Sequence, residues 1–408
     1  MADTSLELHS GSSDRNAAVI AGFLGWTLDA FDFFIVTFCL DHIAATYKVA
    51  RADITLCITL TLMMRPVGAF IFGLFADRYG RRRPMMINLV FYSTLSVLSG
   101  LAPTYHTFLI CRLLFGIGMG GEWGVGASLA MEKVPPRLRG LLSGVLQEGY
   151  AFGGLLAAGA YFLVYPRTHH WQPLFWIGGL PALVAFFIRF RVKESAVWQK
   201  TKQDNWSNLG AVLVSHWRLF LGLFLLMLMM NLSSHGTQDL FPSVLKERFK
   251  LSPGGKVAGI TAFSQCGAIL GGLVVGYLSD RIGRRAAMIG SFVLATLLVP
   301  LWAYAPNLGL LLTGAFLLQF MVQGAWGVIP AHITELSPDS VRGFMPGFAY
   351  QCGAAACASV LVLQERIAKH IGLNNAMAIC AMIILPMAAI VVALGPESRG
   401  IVFGNKKE

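Results

Sequence analysis

Gly73 to Arg83 reads GLFADRYGRRR, and 203 residues further on Gly276 to Arg285 reads GYLSDRIGRR. At that offset Gly73, Asp77, Arg78, Gly80, Arg81 and Arg82 fall on Gly276, Asp280, Arg281, Gly283, Arg284 and Arg285. The same offset carries Gly121, Trp123, Gly124, Val125, Glu132, Pro135, Arg139 and Gly140 onto Gly324, Trp326, Gly327, Val328, Glu335, Pro338, Arg342 and Gly343, and Glu194 and Ser195 onto Glu397 and Ser398. Identities held at one offset over so long a stretch mark an internal duplication. The chain is two copies of one half, joined in parallel.

Each half is built for a membrane. The 408 residues are 55% hydrophobic and 13% charged, with a mean hydropathy of +0.63, outside the range of soluble domains. A helix needs roughly 20 apolar residues to cross about 30 Å of hydrocarbon. Twelve stretches qualify: 17–40, 54–76, 85–103, 107–131, 139–164, 172–191, 217–242, 257–279, 286–305, 308–332, 343–364 and 374–395. The expected halves are residues 1–191 and 217–408, with a cytoplasmic linker over 192–216. Most Lys and Arg fall in the even-numbered connections and the tails, in clusters at 78–83, 189–202 and 281–285, which sets both termini inside. The polar stretch 1–16 lacks the pattern of a cleaved signal and reads as a short cytoplasmic tail. The net charge of +11 is therefore a topology signal that suits an anionic lipid bilayer, and nucleic acid is not implied. Seven cysteines show no metal-ligand spacing and read as packing residues, so no metal site or cofactor is expected. There is no GxxxxGK[ST] pattern, and no nucleophile and base at catalytic spacing; an ATP-driven pump and a membrane enzyme are both disfavoured.

A parallel six-plus-six duplication with paired GxxxDRxGRR loops resembles the major facilitator superfamily, over essentially the whole chain. The resemblance implies an all-α membrane fold of two six-helix bundles with a solute site between them at mid-membrane. It also implies a cytoplasmic charge latch containing Asp77 and Arg81; Arg78 and the duplicated Asp280, Arg281 and Arg284 belong to the same candidate gate.

The duplication also fails in places. Arg65, Arg112 and Glu122 fall on Ala268, Ala315 and Ala325, so these intramembrane charges are not demanded by the repeat. Each needs a partner or a ligand. Arg65 is the candidate for an anionic substrate, because a guanidinium stays charged and its planar fork matches a carboxylate; an ion pair with Asp29, Asp32 or Glu122 is the alternative. Arg112 is assigned to structure or gating. Asp29 and Asp32, three apart on one helix face, and Glu122 are candidates for proton coupling or for neutralising the arginines. Glu148 is left without a role.

In the seventh span Asn231 to Ser243 reads NLSSHGTQDLFPS. Asn231, His235 and Asp239 follow at i and i+4, with Ser234 and Gln238 on the adjoining row, so one face is polar and should line a hydrated cavity. His235 and Asp239, one turn apart, are proton-coupling candidates; Asn231, Ser234, His235 and Gln238 are candidates for substrate binding. The stretch resembles the NxxSHxTQDxxxT pattern of lactate and pyruvate permeases in the sialate:proton symporter group, matching at Asn231, Ser234, His235, Thr237, Gln238 and Asp239, with Ser243 in place of the last Thr. In those permeases an arginine of the second helix is associated with carboxylate recognition, and Arg65 occupies that place. The resemblance implies a proton symporter of a small monocarboxylate; compact loops, the absence of a signal and the short tail fit a bacterial inner membrane, and a monomer is expected. Symport of sialic acid or an aromatic acid is the alternative, since the Asp29/Asp32 pair and the GGEWG run recur in such relatives. A nutrient sensor of the same fold typically adds a cytoplasmic extension that this sequence lacks. Pro66, Pro242, Pro330 and Pro346 are candidate bends in gating helices.

Overall fold

The computed structural model describes residues 11–201, 214–250 and 255–404. The expected tail over 1–16 and linker over 192–216 lie partly outside them. Regular structure among the described residues is helical throughout. The first half comprises α1 (Ser12–Tyr47), α2 (Arg51–Tyr79), α3 (Arg82–Leu101), α4 (Tyr105–Lys133), α5 (Arg139–Gln147) with α6 (Gly149–Thr168), and α7 (Gln172–Ile177) with α8 (Pro181–Arg191). A short α9 (Ala196–Thr201) follows. The second half comprises α10 (Trp217–Gln238) with α11 (Phe241–Phe249), α12 (Gly255–Ile282), α13 (Arg284–Tyr304), α14 (Leu308–Leu336), α15 (Met345–Cys357) with α16 (Val360–Ile371), and α17 (Leu373–Leu394). These elements occupy all twelve expected spans. Among the described residues, ten segments have the length and apolar composition to cross a bilayer unaided; the other two expected spans are the interrupted pairs α5/α6 and α7/α8.

The interruptions have local causes. α5 gives way to α6 at Glu148, just before Gly149, Gly153 and Gly154, and α7 to α8 at Gly178–Gly179 before Pro181. α10 ends before Pro242, which stands in the first turn of α11, where a missing N–H costs nothing. Pro346 takes the same place in α15, whereas Pro66 and Pro330 lie inside continuous helices.

The two halves repeat each other in detail. Thr104 caps α4 by accepting Thr107 N–H at 3.2 Å, and its duplicate Asn307 caps α14 by accepting Leu310 N–H at 2.9 Å. α2 presses on α4 and α12 on α14 through small residues: a Cβ on Gly68 would lie 1.7 Å from Ile117 O, and one on its duplicate Gly271 2.0 Å from Phe320 O. Outward-facing Phe162, Phe190, Leu297 and Leu394 are 71–82% exposed, as a lipid-facing surface requires.

The halves meet at the end that bears the basic loops 80–83 and 283–285. There Gly124 of α4 meets Gly347 of α15, and Gly140 and Gly144 of α5 meet Gly276 and Gly272 of α12. Among the described residues, the hydrogen bonds, ion pairs and ring contacts that join the bundles lie between this end and the level of Arg65. The opposite end, termed the open end, carries none of these contacts among the described residues.

Candidate functional site

Arg65 sits halfway along α2, about 21 Å in from the basic-loop end at 1.5 Å per residue. Gly120 of α4 lets the backbones close at this point, since a Cβ there would lie 1.9 Å from Arg65 O. The Arg65 side chain is 7% exposed, and its Nε and Nη2 have no hydrogen-bond partner. It crosses toward the second half, with its guanidinium carbon 5.7 Å from the centre of the Tyr350 ring on α15. Tyr350 is the hub of an aromatic cage. Its ring centre lies 4.6 Å from Trp123, 5.7 Å from Trp326 and 6.4 Å from Trp26, and Trp26 lies 5.4 Å from Tyr150. Trp123 and Trp326 are duplicates, so the cage straddles the pseudo-twofold axis. Beside Tyr350, both amide atoms of Gln351 are buried without a partner. A guanidinium with Nε and Nη2 free, set against a wall of flat rings, can receive a planar molecule with a carboxylate.

Asp32, Glu122 and Arg112 pack within the first bundle, and Asp29 lies between them and Arg65. Asp29, fully buried, lies within electrostatic reach of Arg65 and Arg112 but accepts no hydrogen bond at either oxygen. Asp32 accepts from Ser96 Oγ at 2.6 Å and fills the space left by Gly178. Glu122 packs against Gly25, with both oxygens unpartnered. Arg112 lies over Phe115, 3.9 Å from its ring centre, with Nη1 unpartnered. Isolated ions buried in this way would cost several kcal/mol each.

The polar face of α10 lies further toward the open end. His235 is about 27 Å from the start of that helix, at the level of its duplicate Asp32. His235 Nδ1 and Asp239 Oδ2 are 2.9 Å apart, and their side chains are 42% and 32% exposed. Ser234 Oγ accepts from Gln238 Nε2 at 2.8 Å and from Gln323 Nε2 at 2.7 Å, while Gln319 Nε2 donates to Thr237 at 3.2 Å. Asn231, by contrast, donates to Met227 O of its own helix at 2.7 Å and is buried. The α10 face and Arg65 therefore lie at two levels along the membrane normal. Tyr150 stands between them, within electrostatic reach of both Arg65 and Asp239.

Two matched latches shut the basic-loop end. Arg81, wholly buried, bonds Asp77 at 2.7 Å and Glu132 at 3.1 Å; Arg284 bonds Asp280 at 2.7 Å and Glu335 at 3.1 Å. Asp77 accepts Gly343 N–H and Phe344 N–H at the start of α15, and Asp280 accepts Gly140 N–H and Leu141 N–H at the start of α5. Each aspartate thus binds the helix N-terminus of the opposite half, where charge and donors favour it. The arginines of the second loop pair also cross over: Arg139 reaches Glu335 at 3.4 Å and Arg342 reaches Glu132 at 3.7 Å. These two guanidiniums sandwich one ring, Phe403, at 3.7 and 4.0 Å from its centre. Arg78 and Arg281, turned about 100° from their aspartate neighbours, lie on the exposed surface, over Tyr79 and Tyr277.

The sequence reading missed Tyr350, Trp26, Tyr150, Gln319, Gln323, Gln351 and Phe403. The duplication did flag Trp123 and Trp326. Glutamines inside apolar spans were the remaining signal.

Known proteins agree with this architecture. Residues 16–208 match the family described as "Sugar (and other) transporter", and residues 240–403 match the Major Facilitator Superfamily. The chain is 32% identical over 404 residues to a probable 4-methylmuconolactone transporter of Cupriavidus pinatubonensis, covering 97% of this chain and 94% of that one. It is 28% identical over 363 residues to the sialic acid transporter NanX of Escherichia coli, covering 88% and 89%. In fold it is similar to the solved proton:xylose symporter XylE, with a TM-score of 0.78 at 18% identity, covering 97% of this chain and 98% of that one. Two six-helix bundles joined at one end, together with these relatives, identify the chain as a member of the major facilitator superfamily, a secondary transporter and not an enzyme.

Proposed function

We propose that this protein is a proton-coupled symporter of an organic monocarboxylate with a planar, unsaturated or aromatic skeleton, working as a monomer by alternating access. The observation that carries the reading is Arg65: a buried guanidinium with two free N–H donors, set against aromatic rings from both halves. The carboxylate would take the free donors as a fork, and the rings would cover the carbon skeleton. The probable 4-methylmuconolactone transporter, similar along nearly its whole length, is named for an unsaturated ring compound. Proton coupling is assigned to His235 and Asp239 in the open vestibule and to Asp29, Asp32 and Glu122 behind the cage. Ser234, Gln238 and Asn231 form or support the entry layer. Asp77, Arg81, Asp280 and Arg284 hold the gate, with Arg78, Arg281 and Arg112 in supporting positions. The basic loops and both termini face the cytoplasm of a bacterial cell, across its inner membrane.

A smaller solute of the lactate and pyruvate class is a second reading, favoured by the polar face of α10 and its pairing pattern Asn231, Ser234, His235, Thr237, Gln238 and Asp239. Competition separates the two. In proteoliposomes, uptake of 4-methylmuconolactone should be inhibited by nicotinate and benzoate and not by equal lactate. Arg65→Ala should weaken apparent affinity roughly ten- to a hundredfold, the range expected for losing charged hydrogen bonds, and Arg65→Lys should restore little of it. Inhibition by lactate alone would reverse the choice of substrate. Unchanged affinity in Arg65→Ala would remove the carboxylate site.

A further inference from the structure

Glu148 stands where α5 passes into α6, inside the membrane and 7% exposed. It makes no hydrogen bond and no ion pair with any described residue. What it faces is the backbone of the other half: a Cβ on Gly272 of α12 would lie 2.0 Å from Glu148 Oε1. The seam it sits in is the one closed by Gly140 and Gly144 against Gly276 and Gly272.

No charge on the surrounding helices compensates it. Asp29 and Asp32 of α1 are directed to Arg65, Arg112 and Ser96, and Glu122 of α4 to Gly25. Arg139, Asp280 and Glu335, on the helices that form the seam, belong to the latches, and His332 of α14 bonds Ser398. Burial alone acts on the Glu148 carboxyl. The duplicated position across the axis is Gln351, of the same shape and always neutral. The scaffold therefore accepts a neutral group at both places, and only one of the two can become charged.

We propose that Glu148 is a gating carboxyl: the seam between α5 and α12 closes only when Glu148 is protonated, and ionises it when it opens. For the basic-loop end to open, α5 and α12 must part, which takes Glu148 off the Gly272 backbone and into water. There its O–H bond breaks, the electron pair stays on the carboxylate and the proton passes to water on the basic-loop side. Closure reverses the exchange with the same side, so this proton gates the step without being carried across. A carboxylate left charged in the closed seam would meet the cost of an unpaired buried ion. The pH at the basic-loop side thus sets how much of the protein is open there. The inference depends on the halves parting at that end, and not on the substrate or on proton coupling.

Spin labels at Tyr79→Cys and Ile282→Cys, duplicated and exposed positions on the two sides of the closed end, in a chain without native cysteines, report the opening by pulsed EPR. From about pH 5 to about pH 9 the population with the longer distance should rise at least about tenfold in wild type. Glu148→Gln should stay at the short distance throughout. Glu148→Asp should keep the pH response with a moved midpoint, a check that survives if the Gln variant folds poorly. A pH response in Glu148→Gln equal to wild type would overturn the proposal, as would a wild-type distribution, or a Glu148→Asp distribution, that does not change with pH.

Discussion

A buried arginine whose donors are left free is costly unless the molecule that completes it arrives from outside. On the proposed function Arg65 meets that condition, and its position depends on a neighbour with no side chain. A methyl group on Gly120 would force Arg65 O, 1.9 Å away, to move. Gly120→Ala should therefore weaken substrate binding as well as lower the thermal midpoint, with the chemistry of the guanidinium unchanged; a variant that loses stability alone would separate this glycine from the site. Gly80 is constrained in a different way. Its φ of +95° is strained for any L side chain, and a Cβ there would lie 2.3 Å from Glu194 Oε2. Gly80→Ala is expected to cost about 1–3 kcal/mol, read from unfolding in detergent. At this scale the sequence spoke clearly for charges, since an arginine among apolar residues needs an explanation wherever it falls. It was silent on Tyr350 and Trp26, because an aromatic in a membrane helix looks the same whether it faces lipid, core or cavity.

Helices of one origin have been put to different uses in the two bundles. Gly116 and Gly120 of α4 let that helix close on Thr61 and Arg65 of α2, whereas their duplicates on α14 are Gln319 and Gln323, which bond Thr237 and Ser234 of α10. The first half thus gained a close-packed arginine and the second a polar wall. The spans, their order and the paired loops were legible because hydropathy and the 203-residue offset are properties of the chain itself. The breaks in α5/α6 and α15/α16, and the layering of Arg65 beneath His235, depend on which faces meet, and periodicity does not encode that. At the helix starts, Glu397 accepts N–H groups of Arg284, Arg285, Ser398 and Arg399. Burial pushes its carboxyl up, but these donors outweigh it and hold the carboxyl below its ordinary 4.5. A carboxyl lowered on folding stabilises the fold above its unfolded value, and that contribution fades as pH falls through the folded value. Glu397→Gln should therefore reduce stability near neutral pH, with the difference from wild type shrinking below about pH 4; a difference that grows in acid would contradict the sign.

At the scale of the whole molecule, the closed end is held by charges exchanged between halves, and among the described residues no such exchange is seen at the other end. Because Asp77 and Asp280 each bind the helix start of the opposite bundle, Asp77→Asn with Asp280→Asn should shift the population toward opening at the basic-loop end, read with the same pair of labels, and by more than either change alone. The sandwich of Phe403 between Arg139 and Arg342 adds a clasp on the axis, and Phe403→Ala should act in the same direction. Neither effect would be expected if the two bundles formed a rigid unit. On the proposed function, alternating access is driven by protons taken up at the buried carboxyls of the first half. The most direct test is accumulation of 4-methylmuconolactone in proteoliposomes under an inward proton gradient, with external pH followed in the same sample. The account predicts accumulation above the external concentration, alkalinisation of the medium as substrate enters, and collapse of both by a protonophore. Uptake that only equilibrates, with no movement of protons, would contradict it.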